Sequence, residues 1–413
     1  MRKFVKILCI SVICLQASGQ VMWQIKKDGV KQWYYAGGDE FNSARVDENM
    51  WAYGPPWGNA LPKQDATFTY GENVYQADGT AHFVAKKERV QAHVYPWELD
   101  SAWAVKNNKK IENEKMWFNY TMGQLFSKAK YKYGYFECRF KSNEERGIWP
   151  AFWLFAGEPN NEIDWFELKG ERKDQLHVDV HCPDGCDDYK GGFLNLQKNW
   201  GGWEKADRSL AEGFNVISGE WNPEYMIWYL NGVPVSYFKH HYSVGMWLIV
   251  NTCVAADKEA FNPGPDKNTK FPNEFVVDYV RIWGEKDSTA KNNERFSNSG
   301  STMQTTDWQH AAKMKKPLKF IYDKKQLKGE KGSVTFLPIG NNRYSLTFAC
   351  PDLQNAKVEV FLLKSEKVKE FNIENPSYFS FDMGEGAGNY TLKVSVFDKV
   401  LTTDFTSEAH MRK

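Results

Sequence analysis

The feature that most constrains this chain is a recurring one: short runs rich in aromatic and β-branched residues, set between Gly, Asn, Asp and Pro, with few amphipathic helical stretches. Branched and aromatic side chains pack well on a pleated surface, so such runs form strands. They predict an all-β chain with strands at 68–70, 81–85, 134–141, 148–155, 162–168, 176–181, 225–230 and 275–283. Asn231-Gly232 lies between Met226-Ile227-Trp228-Tyr229-Leu230 and Val233-Pro234-Val235, and both turn residues tolerate positive φ, which predicts a tight hairpin. A sandwich or barrel follows.

With 413 residues there is room for one large domain and a small one. Residues 285–317 are dominated by Asn, Ser, Thr and Lys and read as a linker. From Ser333 onward the runs Val334–Leu337, Tyr344–Phe348, Val358–Phe361, Tyr378–Phe381 and Tyr390–Val394 alternate at sandwich-like spacing, so residues 318–413 are expected to form a small immunoglobulin-like sandwich. Its role is open, as a spacer or as a carbohydrate-binding module, because fold alone does not assign function.

Residues 1–19 read as an export signal: Arg2, Lys3 and Lys6 precede the apolar run 7–15, too short to span a membrane, and Ala17-Ser18-Gly19 offers small residues for cleavage. The exported chain then begins near Gln20, and residues 20–284 form the large domain. The protein is expected to be periplasmic, at the cell surface or extracellular. No other stretch is apolar enough for a transmembrane helix. Five cysteines lie beyond the signal; Cys182 and Cys186 are spaced to pair across Pro183-Asp184-Gly185, leaving Cys138, Cys253 and Cys350 as small buried hydrophobes. A zinc site at His181, Cys182 and Cys186 lacks a fourth ligand.

The formal net charge is only +1, which provides no steering toward nucleic acid or an anionic membrane. Seventeen Trp exceed what a core of this size needs, and flat indole faces suit the C–H faces of sugar rings, although a Trp-filled β core explains the excess as well.

Chemistry concentrates in Asn161-Glu162-Ile163-Asp164-Trp165-Phe166-Glu167-Leu168, where three carboxylates sit inside an aromatic and aliphatic strand. Ionised groups are costly in apolar surroundings unless paired or used, so their clustering marks a candidate site. In a regular strand Glu162 and Asp164 share a face and Glu167 falls on the other. One extra residue, a bulge at Trp165 or Phe166, returns Glu167 to that face. Two glutamates then converge on one cleft, as glycoside cleavage through a covalent intermediate requires, and Asp164 between them disfavours ionisation of Glu167 by like-charge repulsion.

Glu162-Ile163-Asp164-Trp165-Phe166-Glu167 resembles the E-x-D-x-x-E signature of the β-bulged members of glycoside hydrolase family 16, which includes laminarinases, agarases, porphyranases and carrageenases. The resemblance runs from about residue 33 to 284. Gly38-Asp39-Glu40-Phe41-Asn42 with Met50-Trp51 is similar to the opening strand, and Tyr133-Gly134-Tyr135-Phe136-Glu137 and Gly147-Ile148-Trp149-Pro150-Ala151-Phe152-Trp153 to the central strands. Trp221-Asn222-Pro223 through Gly232 is similar to a later hairpin, and Val277-Asp278-Tyr279-Val280-Arg281-Ile282-Trp283 to the closing strand. It implies a concanavalin-like β-jelly-roll with an open cleft and retaining endo-hydrolysis of a β-linked polysaccharide, with Glu162 as nucleophile, Asp164 as assisting acid and Glu167 as acid/base. Trp165-Phe166 departs from the smaller pair common at the bulge, which puts the local geometry in question.

Trp149 and Trp153, four apart on one strand, share a face and are candidates for stacking on substrate or for packing between sheets. His177 and His181 share a face by period two, and the family pattern, with a His near the acid/base, favours His181 as the third substrate-binding candidate. Asp184, Asp187 and Asp188 read as a solvated loop. No cofactor is required; the resemblance implies a structural calcium near the closing strand, with Asp278 as candidate ligand. The chain is expected to be a monomer whose partner is a polysaccharide, either a β-1,3-glucan or a β-galactan of agar, porphyran or carrageenan type. Arg146, Lys169 and Arg172 near the catalytic strand would suit a sulfated galactan. A jelly-roll lectin and a transglycosylase are the alternatives.

Overall fold

The computed structural model describes residues 20–55, 58–95, 101–157, 161–181, 199–239, 243–285, 330–338, 342–350, 352–384 and 387–407. The segment 1–19, the pair Cys182 and Cys186, Asp184, Asp187, Asp188 and nearly all of 285–317 lie outside them. The chain divides into two compact units, one built from Gln24–Gly332, the other from Ser333–Lys413 with the N-terminal residues as far as Trp23.

The larger unit is a β-jelly-roll sandwich. One sheet runs in the order Asn199–Lys205, Gln175–His181, Glu162–Leu168, Ile148–Phe155, Met246–Val254, Gln124–Tyr131, Trp51–Ala52. The facing sheet runs Val233–Phe238, Met226–Leu230, Asn215–Trp221, Gly134–Lys141, Asn273–Gly284; the last strand pairs Gly29–Asp39 along one half and Thr80–His93 along the other. All these pairings are antiparallel, and the single α-helix among the described residues is Ser101–Lys106. The three central strands 134–141, 148–155 and 162–168 keep the bounds that the sequence predicts. Asn231 and Gly232 both take positive φ, 50° and 80°, and close the predicted hairpin.

Alternation decides what each face does. Phe152, Leu154, Ile163, Leu176, Val178, Val180, Leu248 and Val250 point inward and meet Phe136, Cys138, Phe140, Ile217, Trp228, Val277 and Val280 of the facing sheet in one buried core. The opposite face of the first sheet is left for function. Cys138, Cys253 and Cys350 are free and buried, as small hydrophobes.

In the smaller unit Glu366–Glu374, Asn355–Leu362, Gly388–Val396 and Lys399–Ser407 form one antiparallel sheet, and Glu330–Pro338, Arg343–Ala349 and Tyr378–Asp382 pair in a second. Their inner faces meet where Phe405 packs against Phe336 and Tyr344, with ring centroids 5.3 and 4.6 Å apart.

Candidate active site

Every residue of Glu162–Leu168 is buried, acids included. The expected bulge is present. Against Ile148–Phe155, Asp164 faces Trp153 while Phe166 faces Phe152; against Gln175–His181, Asp164 faces Asp179 while Glu167 faces His177. Both registers gain one residue between Asp164 and Glu167, so Glu162, Asp164 and Glu167 share the outer face.

The bulky Trp165-Phe166 pair fits because both rings turn into the core. Trp165 stacks on Phe136 at 5.6 Å and leans on Trp228 at 5.4 Å, and Phe166 packs on Phe140 at 4.4 Å. Gly219 of the facing sheet makes the space: a Cβ there would stand 2.0 Å from the Trp165 ring. Trp228 Nε1 donates to the Asp164 carbonyl at 2.9 Å, satisfying a backbone acceptor at the bulge.

The outer face is a grid of three rows. Phe155, Glu162 and His181 lie side by side, then Trp153, Asp164 and Asp179, then Ala151, Glu167 and His177. Glu167 has a donor at one oxygen and an imidazole at the other: Trp149 Nε1 donates to Oε1 at 3.1 Å, and His177 Nδ1 lies 3.1 Å from Oε2. His181 Nε2 stands 3.3 Å from Asp164 Oδ2, 3.6 Å from Asp179 Oδ2 and 3.8 Å from Glu162 Oε1. Asp179 accepts from the Val180 N–H at 2.7 Å and occupies room left by Gly201, where a Cβ would be 2.5 Å from its carboxylate.

Glu162, Asp164, Glu167 and Asp179 are each at most 9% exposed, and for Glu162, Glu167 and Asp179 the loss of water is the largest influence on titration. Burial, then the Asp164 charge, pushes Glu167 up to about 7, with the His177 hydrogen bond opposing. Burial likewise raises Asp179 to about 6, against His181 and His177. Glu162 is raised by burial and Asp164, and His181 works against that rise. For His181 burial favours the neutral ring, but Asp179, Glu162 and Asp164 outweigh it and hold the imidazole well above its ordinary value. The result is an acid, Glu167, that holds its proton up to about neutrality, near a second acid, Glu162, which burial and Asp164 push toward its neutral form and the His181 imidazole pulls back toward the anion.

His181, expected near Glu167, stands instead beside Glu162 and Asp164, because antiparallel pairing sets 181 opposite 162 and the bulge sets 177 opposite 167. Trp149 is less a free platform than a partner of Glu167, since Phe261 covers one indole face at 4.4 Å, nearly parallel. Trp153 is half-buried; its Nε1 donates to Asn251 Oδ1 at 2.7 Å. Asp278 does not fit the expected calcium ligand: its Oδ2 is paired with Arg139, whose cation occupies the place a metal would need. The potential ligand groups among the described residues are Glu162, Asp164, His181 and Glu167, His177, Asp179, each with donor atoms within 4.8 Å; in both, an imidazole already sits among the carboxylates. His177, which period two places with His181 but which the sequence ranks second, is the partner of Glu167. Asp179, Trp203 and Phe261 are not among the sequence candidates; period two from His181 marks Asp179, and nothing local marks Phe261.

The sequence pattern of Glycosyl hydrolases family 16 matches residues 71–281, just over half of the 413 residues. The chain belongs to this family. It is 26% identical over 286 residues to a beta-glucanase of Rhodothermus marinus, covering 62% of this chain and 87% of that one. An endo-1,3-1,4-beta-glycanase of Rhizobium meliloti is 24% identical over 260 residues, 59% of this chain; the chain spans only half, 50%, of that relative's length. Among solved structures, the endo-beta-1,3-glucanase of Pyrococcus furiosus is similar at 24% identity and TM-score 0.49, covering 65% of this chain and 99% of that one.

Proposed function

We propose that this family 16 protein is a retaining endo-glycoside hydrolase that cuts internal β-linkages of a neutral β-glucan. The observation that carries the reading is the bulged, buried strand that presents Glu162, Asp164 and Glu167 on one face. Glu167, with its pKa pushed up to about 7, gives its proton to the glycosidic oxygen as that bond to the anomeric carbon breaks. The Glu162 carboxylate attacks the anomeric carbon and forms a glycosyl ester. Glu167, now ionised, takes a proton from water, whose oxygen displaces Glu162 and restores the starting stereochemistry. Asp164 disfavours ionisation of Glu167, and the charged His181 favours the Glu162 anion.

Two observations favour a neutral glucan over a sulfated galactan. The site presents four acids against two imidazoles, so it offers no excess of cationic groups to hold the sulfates of a polyanion. Two of the three basic residues near the strand are engaged elsewhere: Lys169 pairs with Glu171 at 3.3 Å and Arg146 donates to the Gly264 carbonyl at 3.1 Å, while Arg172 lies over Trp203 at 4.3 Å. The name of the Rhodothermus marinus relative, a beta-glucanase, supports this choice. Export through residues 1–19 belongs to the same proposal, because a polysaccharide is met outside the cell.

Reducing-end release from laminarin, mixed-linkage β-glucan, agarose, porphyran and carrageenan tests it. The wild type is expected to cut a glucan and to give the β-anomer first; Glu162→Gln is expected to lose at least about 1,000-fold in kcat. Release only from porphyran or carrageenan would move the substrate to a sulfated galactan. Binding without release from any of them would make the protein a lectin, and sugar-transfer products would make it a transglycosylase.

A further inference from the structure

Phe261 has no role in the chemistry above, yet it touches both groups that hold Glu167. Its ring lies on the Trp149 indole at 4.4 Å and 5°, and meets the His177 imidazole edge-on at 5.7 Å. Trp203 closes the cluster, 5.7 Å from Phe261 and 5.1 Å from His177, with Arg172 over it. Trp149 and His177 in turn meet the two carboxyl oxygens of Glu167.

The backbone at Phe261 is in the left-handed region, φ 57°, which is unfavourable for a non-glycine residue and persists only where surroundings impose it. They do so here. Asn262 N donates to the Glu259 carbonyl at 3.2 Å, Gly264 N to Asp257 Oδ1 at 3.1 Å, and the Lys169 ammonium to the Asn262 carbonyl. Lys169 directly follows Glu162–Leu168, so the loop bearing Phe261 is tied to the end of the strand bearing Glu167.

We infer that Phe261 is a positioning residue for the acid/base: by packing on Trp149 and His177 together it fixes the Glu167 carboxyl toward the leaving oxygen. The inference rests on the hydrolase reading, and it specifies which half of the chemistry Phe261 serves. A misaimed acid hurts only departures that need a proton. Cleavage of laminarin expels a sugar alkoxide and needs it; expulsion of dinitrophenolate from an aryl β-laminaribioside does not.

The test is kcat/KM, which reports the first bond cleavage, on both substrates for wild type, Phe261→Ala, Phe261→Leu and Phe261→Tyr. Phe261→Ala is expected to lose about 100-fold on laminarin and under about fivefold on the aryl glycoside. Phe261→Leu should fall less but with the same bias, and it makes the comparison if the alanine variant does not fold. Phe261→Tyr, which retains the ring, should restore the wild-type ratio. Equal losses on the two substrates, or none on either, overturn the inference while leaving the hydrolase intact. If the wild type cuts another polysaccharide of the panel instead, the same comparison is made on that polysaccharide and its aryl glycoside; a wild type that cuts none of them removes the hydrolase reading and the inference with it.

Discussion

Glu167 and Glu220 are glutamates buried in the two facing sheets of one sandwich, 8% and 0% exposed, and the chain treats them in opposite ways. For Glu220 burial favours the neutral form, but Lys31 and Lys26 outweigh it and hold the acid below its ordinary value. Its carboxylate takes the Lys31 ammonium at 3.0 Å, Gln24 Nε2 at 3.2 Å and Asn222 Nδ2 at 3.3 Å. Glu167 has no cation of that kind among the described residues; it receives an indole and an imidazole and faces the charge of Asp164. Burial with cations makes a fixed anion that fastens strands, whereas burial among other acids makes a group that holds and releases a proton.

The sharpest way to break this contrast is to remove each charge in turn. Glu167→Gln is expected to cut kcat/KM on laminarin by about 1,000-fold and to leave the melting temperature unchanged or higher, because a strained acid is gone. Glu220→Gln should stay within about threefold of wild-type kcat/KM when folded, and should lose about 2 kcal/mol of stability in urea unfolding because the partly exposed Lys31 and Lys26 lose their buried partner. If Glu220→Gln is as inactive as Glu167→Gln at full folding, the division into structural and chemical acids is wrong.

A smaller effect tests how the fold aims Glu167. Gly219→Ala puts a methyl 2.0 Å from the Trp165 ring, on the core side of the bulge. Trp165 has little room to move, being wedged between Phe136 and Trp228. Overpacking of this kind costs about 1–3 kcal/mol, and a shift of the bulge is expected to lower kcat by about 100-fold. Gly213→Ala, with nothing within 4 Å of the added methyl, is the control and should change neither. A Gly219→Ala protein that loses stability but keeps its kcat would show that the bulge holds its shape without the Trp165 fit.

These cases also show what the sequence could reveal. Three acids in a buried-looking strand, with a spacing that breaks period two, were enough to predict the bulge and the shared face, because side-chain alternation is a local rule. Hydrophobic strands such as Ile148–Phe155 kept their predicted bounds for the same reason. Glu366–Glu374, rich in Lys and Glu, and Lys399–Ser407 escaped notice because their alternation is carried by few apolar residues. Gly219, Trp228 and Phe261 act on the site across long stretches of chain, through a contact, a hydrogen bond and a ring stack that no local pattern encodes. The choice of His177 over His181 for Glu167 depended on register, which the bulge itself shifts by one residue.

The smallest expected effect is the pH dependence of stability, where the two acids should pull in opposite directions. Glu167 has a folded value of about 7 against 4.5 in the unfolded chain, so the folded state binds more protons between those limits and stability falls as pH rises from 4.5 to 7. Glu220 lies below 4.5 when folded, so its contribution is fully present above 4.5 and is lost as pH falls through the folded value. Asp179, also raised to about 6, shares the first slope with Glu167, so removing one acid leaves part of it. Glu167→Gln is therefore expected to flatten the decline above pH 4.5 by roughly 1–2 kcal/mol, and Glu220→Gln to flatten only the acid limb below it. Melting curves of the wild type and both variants from acid to neutral pH read the two limbs separately. An unchanged neutral limb in Glu167→Gln would mean that Glu167 is ionised at no cost in the fold, and its claim to be the proton donor would go with that.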